Sequence, residues 1–315
     1  MFDVVTLGET MVAFAPTEKG PIRYSQTLGK RTAGAESNVA IGLAKLGKKT
    51  GWFSKLGDDE FGEYILRELR GENVDTSSVI MSRKNPTGIM FKQFSAGNET
   101  SVFYYRKGSA ASTISAYDLP LDYIRQAKIL HISGITPALS ESCKEAIFAA
   151  VKYAREQGIK VSFDPNIRLK LWSKEEAKDC LSELLPLSDI VLIGEDEADI
   201  LFGTKDPYQT VDILRKYNVS QIAVKLGADG AVVADQGTSY AIPARPVQVV
   251  DNIGAGDAFN AGFLCGLLED KDLETCGRLG TIMGAYAVSS YGDVEGLPSR
   301  SQVNALINQT ERIYR

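Results

Sequence analysis

The chain has 315 residues, 44% of them apolar and 24% charged, with 29 glycines and 11 prolines, which excludes a disordered, collagenous or coiled-coil protein. Its formal net charge of −5 and singly scattered Lys and Arg leave no basic stripe for duplex nucleic acid or an anionic membrane, so small molecules are the expected partners. One histidine, His131, and four cysteines without a CxxC pair supply too few ligands for a His/Cys zinc site. A chain of this length buries roughly three quarters of the surface its unfolded form exposes, so it needs neither disulfide nor metal to hold a core. Cys143, Cys180, Cys265 and Cys276 are therefore expected to be reduced thiols in a cytoplasmic protein. The N-terminal residues show no basic segment followed by an apolar one, and no run of about 18 apolar residues occurs, so neither export nor a membrane span is expected.

Short β-branched runs at 4–7, 50–55, 129–132, 160–163, 190–193 and 221–225 alternate with helical stretches, and that alternation predicts an α/β fold with a mostly parallel central sheet flanked by helices. The helix predicted over 35–46 places Val39, Leu43 and Leu46 on one face, and the helix after Ser140 does the same with Cys143, Ile147, Ala150, Val151 and Ala154. Ser173 with Glu176 opens another helix as a capping box, and Ser299 with Gln302 opens the last. Two segments, about 11–31 and 87–105, break the pattern with alternating polar and aromatic residues and a turn predicted at Ala96-Gly97-Asn98. The reading is one domain over 1–315, with these segments forming a small inserted β-sheet lid over the carboxyl edge of the main sheet, where open α/β folds bind ligands.

The richest segment runs over 249–263, where a β-branched stretch leads into Gly254-Ala255-Gly256-Asp257 and an Ala/Gly-rich helix. Unpaired N–H groups at such a start, backed by the helix dipole, make an anion site. Asp257 fits two roles, a helix cap or a carboxylate presented to a ligand, and the spacing leaves both open. Gly262 and Gly266 thin the same helix at a cost of about 1 kcal/mol each, which close packing or function must offset. Lys225-Leu226-Gly227-Ala228-Asp229-Gly230 leads from one strand to another over 231–234; it is an ordinary hairpin turn unless it covers a nucleotide beside the anion site.

Gly34 precedes a helix with Glu36 and Asn38 in its first turn, and Asn38, a poor helix former, is available to a ligand hydroxyl. The stretch 42–49 imitates a P-loop but lacks the closing Ser/Thr and runs along a helix, so Gly47 is read as its C-cap. Arg168 follows a strand and so stands at a carboxyl end, where a guanidinium suits a carboxylate or phosphate. Glu195-Asp196-Glu197 follow the 190–193 strand, where they either hold Mg²⁺ through water or only complement a helix N-terminus. His131 is given no role.

Together, Gly34-x-x-x-Asn38, Lys225-x-Gly227 and Gly254-Ala255-Gly256-Asp257 resemble the ribokinase-like (PfkB) carbohydrate kinases, over essentially the whole chain from Val4 to the last helix. The segments 103–110 and 131–139 and the pattern Asn166-x-Arg168-x-x-Leu171-Trp172 are similar to 2-keto-3-deoxygluconate kinases. The resemblance implies transfer of the γ-phosphoryl group of ATP, with Mg²⁺, to 2-keto-3-deoxygluconate, giving 2-keto-3-deoxy-6-phosphogluconate. Fructose or 5-dehydro-2-deoxygluconate are the alternative acceptors, and a catalytically degenerate sugar-binding sensor is the alternative of another class. The resemblance further implies Asp257 as general base and the amides of Gly254, Ala255 and Gly256 as the anion hole. Gly34, Tyr104, Arg106, Arg168 and Asp293 would contact the sugar, with Asn38, and with Met90 where related kinases carry a tyrosine. Asn166, Lys225, Gly227, Gly230 and Gly256 would contact the nucleotide, and Glu197 the metal. Two arginines suit an acid sugar, because a bound carboxylate repays their burial and a neutral hexose does not. The aromatic lid strands are expected to pair with a second subunit's lid, making a homo-oligomer.

Overall fold

Strands that are apolar on both faces need helices on both sides, and the β-branched runs find them. The computed structural model describes residues 1–17, 20–94 and 100–313; the turn predicted at 96–98 lies outside them. The main sheet has nine strands in the order Ser239–Ile242, Ala231–Ala234, Gln221–Lys225, Ile190–Gly194, Lys160–Asp164, Ala127–Ser133, Phe2–Leu7, Thr50–Phe53 and Val74–Asp75. From Gln221–Lys225 to Val74–Asp75 all neighbours are parallel, and the two strands at the other end are antiparallel. The period of two along Phe2–Leu7 sends Val5 and Leu7 into a core with helices Glu141–Glu156 and Lys174–Leu184. Val4 goes to the opposite core, formed with helices Ala35–Lys45 and Ala255–Leu268.

Helices Ala255–Leu268 and Leu273–Val288 approach closely: a Cβ on Gly262 would lie 2.5 Å from the Leu279 carbonyl oxygen, and one on Gly266 2.7 Å from Cys276 Sγ. Packing thus accounts for both glycines. The four cysteines are buried and free, and Gly47, with φ +82°, follows its helix as expected of a C-terminal glycine. His131 Nδ1 lies 3.0 Å from Ser162 Oγ, and burial pushes the imidazole down to about 4, a neutral side chain of the sheet interior. The strand predicted over 50–55 divides at Ser54. The Ser54 carbonyl accepts from Ile80 N–H, which draws Lys55–Gly57 away to pair with Ile80–Ser82. No helix among the described residues is long and apolar enough to cross a membrane.

The two irregular segments join in one four-stranded sheet, Leu28–Ala33, Met11–Pro16, Ile89–Phe94 and Thr100–Tyr105. Its two inner strands, one from each segment, are parallel. Met11, Ala13, Ala33 and Met90 pack on one face with Val102 and Tyr104. On the other, the Phe91 ring lies against those of Phe14 and Tyr105, and Phe103 and Tyr105 are 46% and 66% exposed.

Candidate active site

Parallel strands that share a register end together. Here Ser133 stands opposite Asp164 and Gly194 opposite Lys225, so four strand ends converge on one edge. A cavity of about 740 Å³ opens there, with Met11, Met90, Tyr104 and Arg106 from the lid side and Asp164, Asn166, Arg168, Lys225, Gly227, Gly254, Gly256, Asp257 and Asp293 from the body. Gly34 and Asn38 also line it.

Helix Ala255–Leu268 begins at Gly254, which has φ +85° and no side-chain cap, so its first amides and the positive dipole end are left for an anion. A Cβ on Gly254 would lie 2.8 Å from the Asp293 carbonyl oxygen, whereas one on Gly256 would have only Lys225 Nζ nearby, at 3.6 Å. Gly254 is thus fixed by backbone conformation and by its neighbour, and Gly256 by the need to leave the cavity side open. Gly254→Ala should therefore strain this turn against Asp293 and lower the unfolding temperature in a thermal melt; an unchanged unfolding temperature would contradict this account.

Asp257 does not cap its helix. Its Oδ2 accepts from Asn38 Nδ2 at 2.8 Å, and among the described residues no hydrogen bond engages Oδ1. Burial pushes this carboxyl up to about 7, with the Asn38 hydrogen bond and Arg168 opposing, and Asp164 and Asp293 adding to, the rise. Lys225 Nζ donates to Asp164 Oδ2 at 2.7 Å and reaches Asn260 Oδ1 at 3.4 Å. Burial works against its charge, yet Asp164 and Glu197 hold the ammonium above the usual lysine range. Asn166 adopts a left-handed φ of +39° with its N–H donated to Asp164 Oδ1, a strained backbone placed where ligands bind.

Three expectations change. Arg106 lines the cavity, but its guanidinium already pairs with Glu9, Nε to Oε2 at 2.7 Å, so no sugar carboxylate is needed to repay its burial. Arg168 is exposed and has no ion pair among the described residues, so it alone of the two arginines is unneutralised. Gly230 does not line the cavity; its φ is +98° and a Cβ would lie 2.0 Å from the Ile242 carbonyl oxygen, so it serves the turn. Glu197 accepts from Gly194 N–H at 2.7 Å and Ile167 N–H at 3.1 Å, and burial raises its pKa. It is a held carboxylate at the cavity wall, not a free one.

Glu9, Lys92, Asp164 and Asp251 had no place in the sequence reading. Asp164 ends a parallel strand and Glu9 lies two residues past the end of another, so both were findable by the argument applied to Arg168. Lys92, buried on a lid strand against Asp293, gives no such signal.

Residues 1–300 match the model of the pfkB family carbohydrate kinases. The chain is 39% identical over 316 residues to a 2-dehydro-3-deoxygluconokinase from Bacillus subtilis, covering 99% of this chain and 97% of that protein. It is 35% identical over 311 residues to one from Thermoproteus tenax, covering 98% and 94%. Its fold is similar to the crystal structure of a putative ribokinase II from E. coli in complex with ATP and Mg²⁺, with a TM-score of 0.91, 25% identity, and 98% of this chain and 100% of that one covered. With that match laid over a buried carboxylate, a glycine-built helix start and a small separate sheet beside the cavity, the chain belongs to the pfkB family of carbohydrate kinases.

Proposed function

We propose that the protein transfers the γ-phosphoryl group of ATP to the terminal hydroxyl of 2-keto-3-deoxygluconate, the sugar for which its Bacillus and Thermoproteus relatives are named under the equivalent term 2-dehydro. The observation that carries this reading is Asp257, with one carboxylate oxygen fixed by Asn38 and the other free at the cavity beside the uncapped amides. A sugar hydroxyl on that oxygen gives up its proton to Asp257 as it attacks the γ-phosphorus, and ADP leaves. The amides of Gly254, Ala255 and Gly256, with Lys225 beside them, balance the charge of the transferring group. The lid excludes water, which would otherwise take the phosphoryl group.

Among the described residues no group of three His, Cys, Asp or Glu side chains could hold a metal ion, and Asp196 is paired with Lys205. Mg²⁺, which keeps water ligands and leans on phosphates, needs only one or two carboxylates to complete its shell, and Glu195 and Glu197 line the cavity. Glu197, held by two backbone N–H groups, would act through such water. When bound, the ion supplies screening of phosphate charge.

The Arg106–Glu9 pair gives weight to a second acceptor class, because a neutral sugar would leave that pair undisturbed. Arg168 keeps the acid sugar as the first reading. A panel of 2-keto-3-deoxygluconate, 5-dehydro-2-deoxygluconate and fructose in a coupled ADP assay should give the highest kcat/KM with the first. ADP release with none of them would instead favour a sugar-binding sensor.

The outer aromatic lid face, with Phe103 and Tyr105 exposed, is the surface for a second subunit's lid. Sedimentation at micromolar concentration should give a dimer or larger, and a monomer would contradict this. Four buried free thiols accord with a reducing, cytoplasmic setting.

A further inference from the structure

Lys92 is 3% exposed on lid strand Ile89–Phe94, where the strand period turns it inward with Met90 and Phe94. Lysine is seldom buried unless paired, and the pairs are specific. Its Nζ donates to Asp293 Oδ1 at 2.5 Å and stands 3.9 Å from Asp251 Oδ2, a buried oxygen with no hydrogen bond of its own. Both carboxylates frame the anion cradle. Asp251 Oδ1 accepts from Ile253 N–H at 3.2 Å, shaping the turn into Gly254, and the Asp293 backbone abuts Gly254. Asn38 Nδ2, which donates to Asp257 Oδ2, also lies 3.4 Å from Asp293 Oδ2. One ammonium from the lid therefore reaches the reacting end of the site through Asp293 and Asn38.

Resting on the kinase reading, we propose that Lys92 is a positioning residue of phosphoryl transfer, which balances Asp251 and Asp293 and couples the lid to the geometry of Asp257 and its amide cradle. Without it two carboxylates share a buried space uncompensated, a costly arrangement that relaxes by protonation or by movement. Either outcome disturbs the Asn38 contact that orients Asp257. The groups facing Asp257 are Asn38, Asp164, Arg168, Asp293 and Lys225, and of these Asp293 is the one in contact with Lys92.

The test compares Lys92→Met, Lys92→Arg and wild type. Lys92→Met should lower kcat by about 10- to 100-fold and move the acidic limb of the kcat/KM profile to higher pH, while Lys92→Arg, keeping the charge, recovers most of the loss. The carboxyl of Asp257, followed by ¹³C NMR in Asp-labelled protein and assigned with Asp257→Asn, should titrate at higher pH in Lys92→Met than in wild type. If Lys92→Met does not fold, Lys92→Ala prepared in methylammonium and compared with and without the amine gives the same contrast, with activity restored by the amine. An unmoved titration and limb, or Lys92→Arg as impaired as Lys92→Met, would overturn the proposal. The NMR titration needs no substrate, so a wild-type protein that phosphorylates no sugar defeats the kinase reading while leaving this result readable.

Discussion

Asp257→Asn should lower kcat by roughly 10³-fold, with the KM values changing far less, because the amide keeps the shape and the Asn38 contact but cannot accept a proton. The same variant should be more stable than wild type at alkaline pH. In the folded protein burial lifts this carboxyl from 3.8 to about 7. Between those values the native state binds the proton that the unfolded chain releases, so stability falls as pH rises through about 7. The penalty is absent below the unfolded value and complete above the folded one, on the order of 2–4 kcal/mol. Thermal unfolding at pH 4 and pH 8 should thus show a wild-type deficit relative to Asp257→Asn at the higher pH alone. Equal stability of the two at pH 8 would mean that the site does not strain this group. Lost activity with gained stability is the signature of a residue kept for chemistry.

Arg168→Ala should raise KM for the acid sugar by about 10- to 100-fold and leave KM for a neutral sugar nearly unchanged, since an unneutralised guanidinium contributes to binding only where a carboxylate meets it. Arg106→Ala should behave differently. Removing one member of the buried Arg106–Glu9 pair leaves the Glu9 charge buried with, among the described residues, only the Ser109 hydroxyl to hydrogen-bond it, and the loss of a buried ion partner costs about 3–5 kcal/mol of stability. Its kinetic effect should therefore fall on every sugar alike and come with a lower unfolding temperature. If Arg168→Ala leaves the acid-sugar KM unchanged, the charge argument for that substrate fails and a neutral acceptor becomes the better reading. Arg168 also works against the rise in the Asp257 pKa, so its removal should move the acidic limb upward.

Local signals carried the parallel sheet, its helices and the capping box at Ser173, where Ser173 and Glu176 hydrogen-bond each other reciprocally. The lid was legible as two segments whose alternation differs from the rest. Their joining through Val12 and Ile89 is a long-range pairing with no period of its own. The site was legible where a residue type is unusual for its element: Gly254 and Gly256 at a helix start, Asn38 in a first turn, Arg168 past a strand end. It was hidden where the chemistry lies in pairs. Nothing local tells that Glu9 neutralises Arg106 across 97 positions, or that Lys92 meets Asp293 across 201. Gly230 stayed ambiguous because the same turn chemistry serves a hairpin and a nucleotide cover, and the lack of room for a Cβ beside the Ile242 carbonyl is a long-range fact. The helix-cap reading of Asp257 could be set aside only with its hydrogen bond to Asn38 in view, since the helix start has no side-chain cap.

The pH dependence of kcat/KM for ADP release with 2-keto-3-deoxygluconate, measured side by side for wild type and Asp257→Asn, tests the central claim most directly. One ionisation near 7 should govern the acidic limb in wild type, set by the burial of Asp257, and Asp257→Asn should show a trace rate with that limb gone. A limb that survives the substitution, or activity retained without the carboxylate, would contradict the assignment of Asp257 as the base.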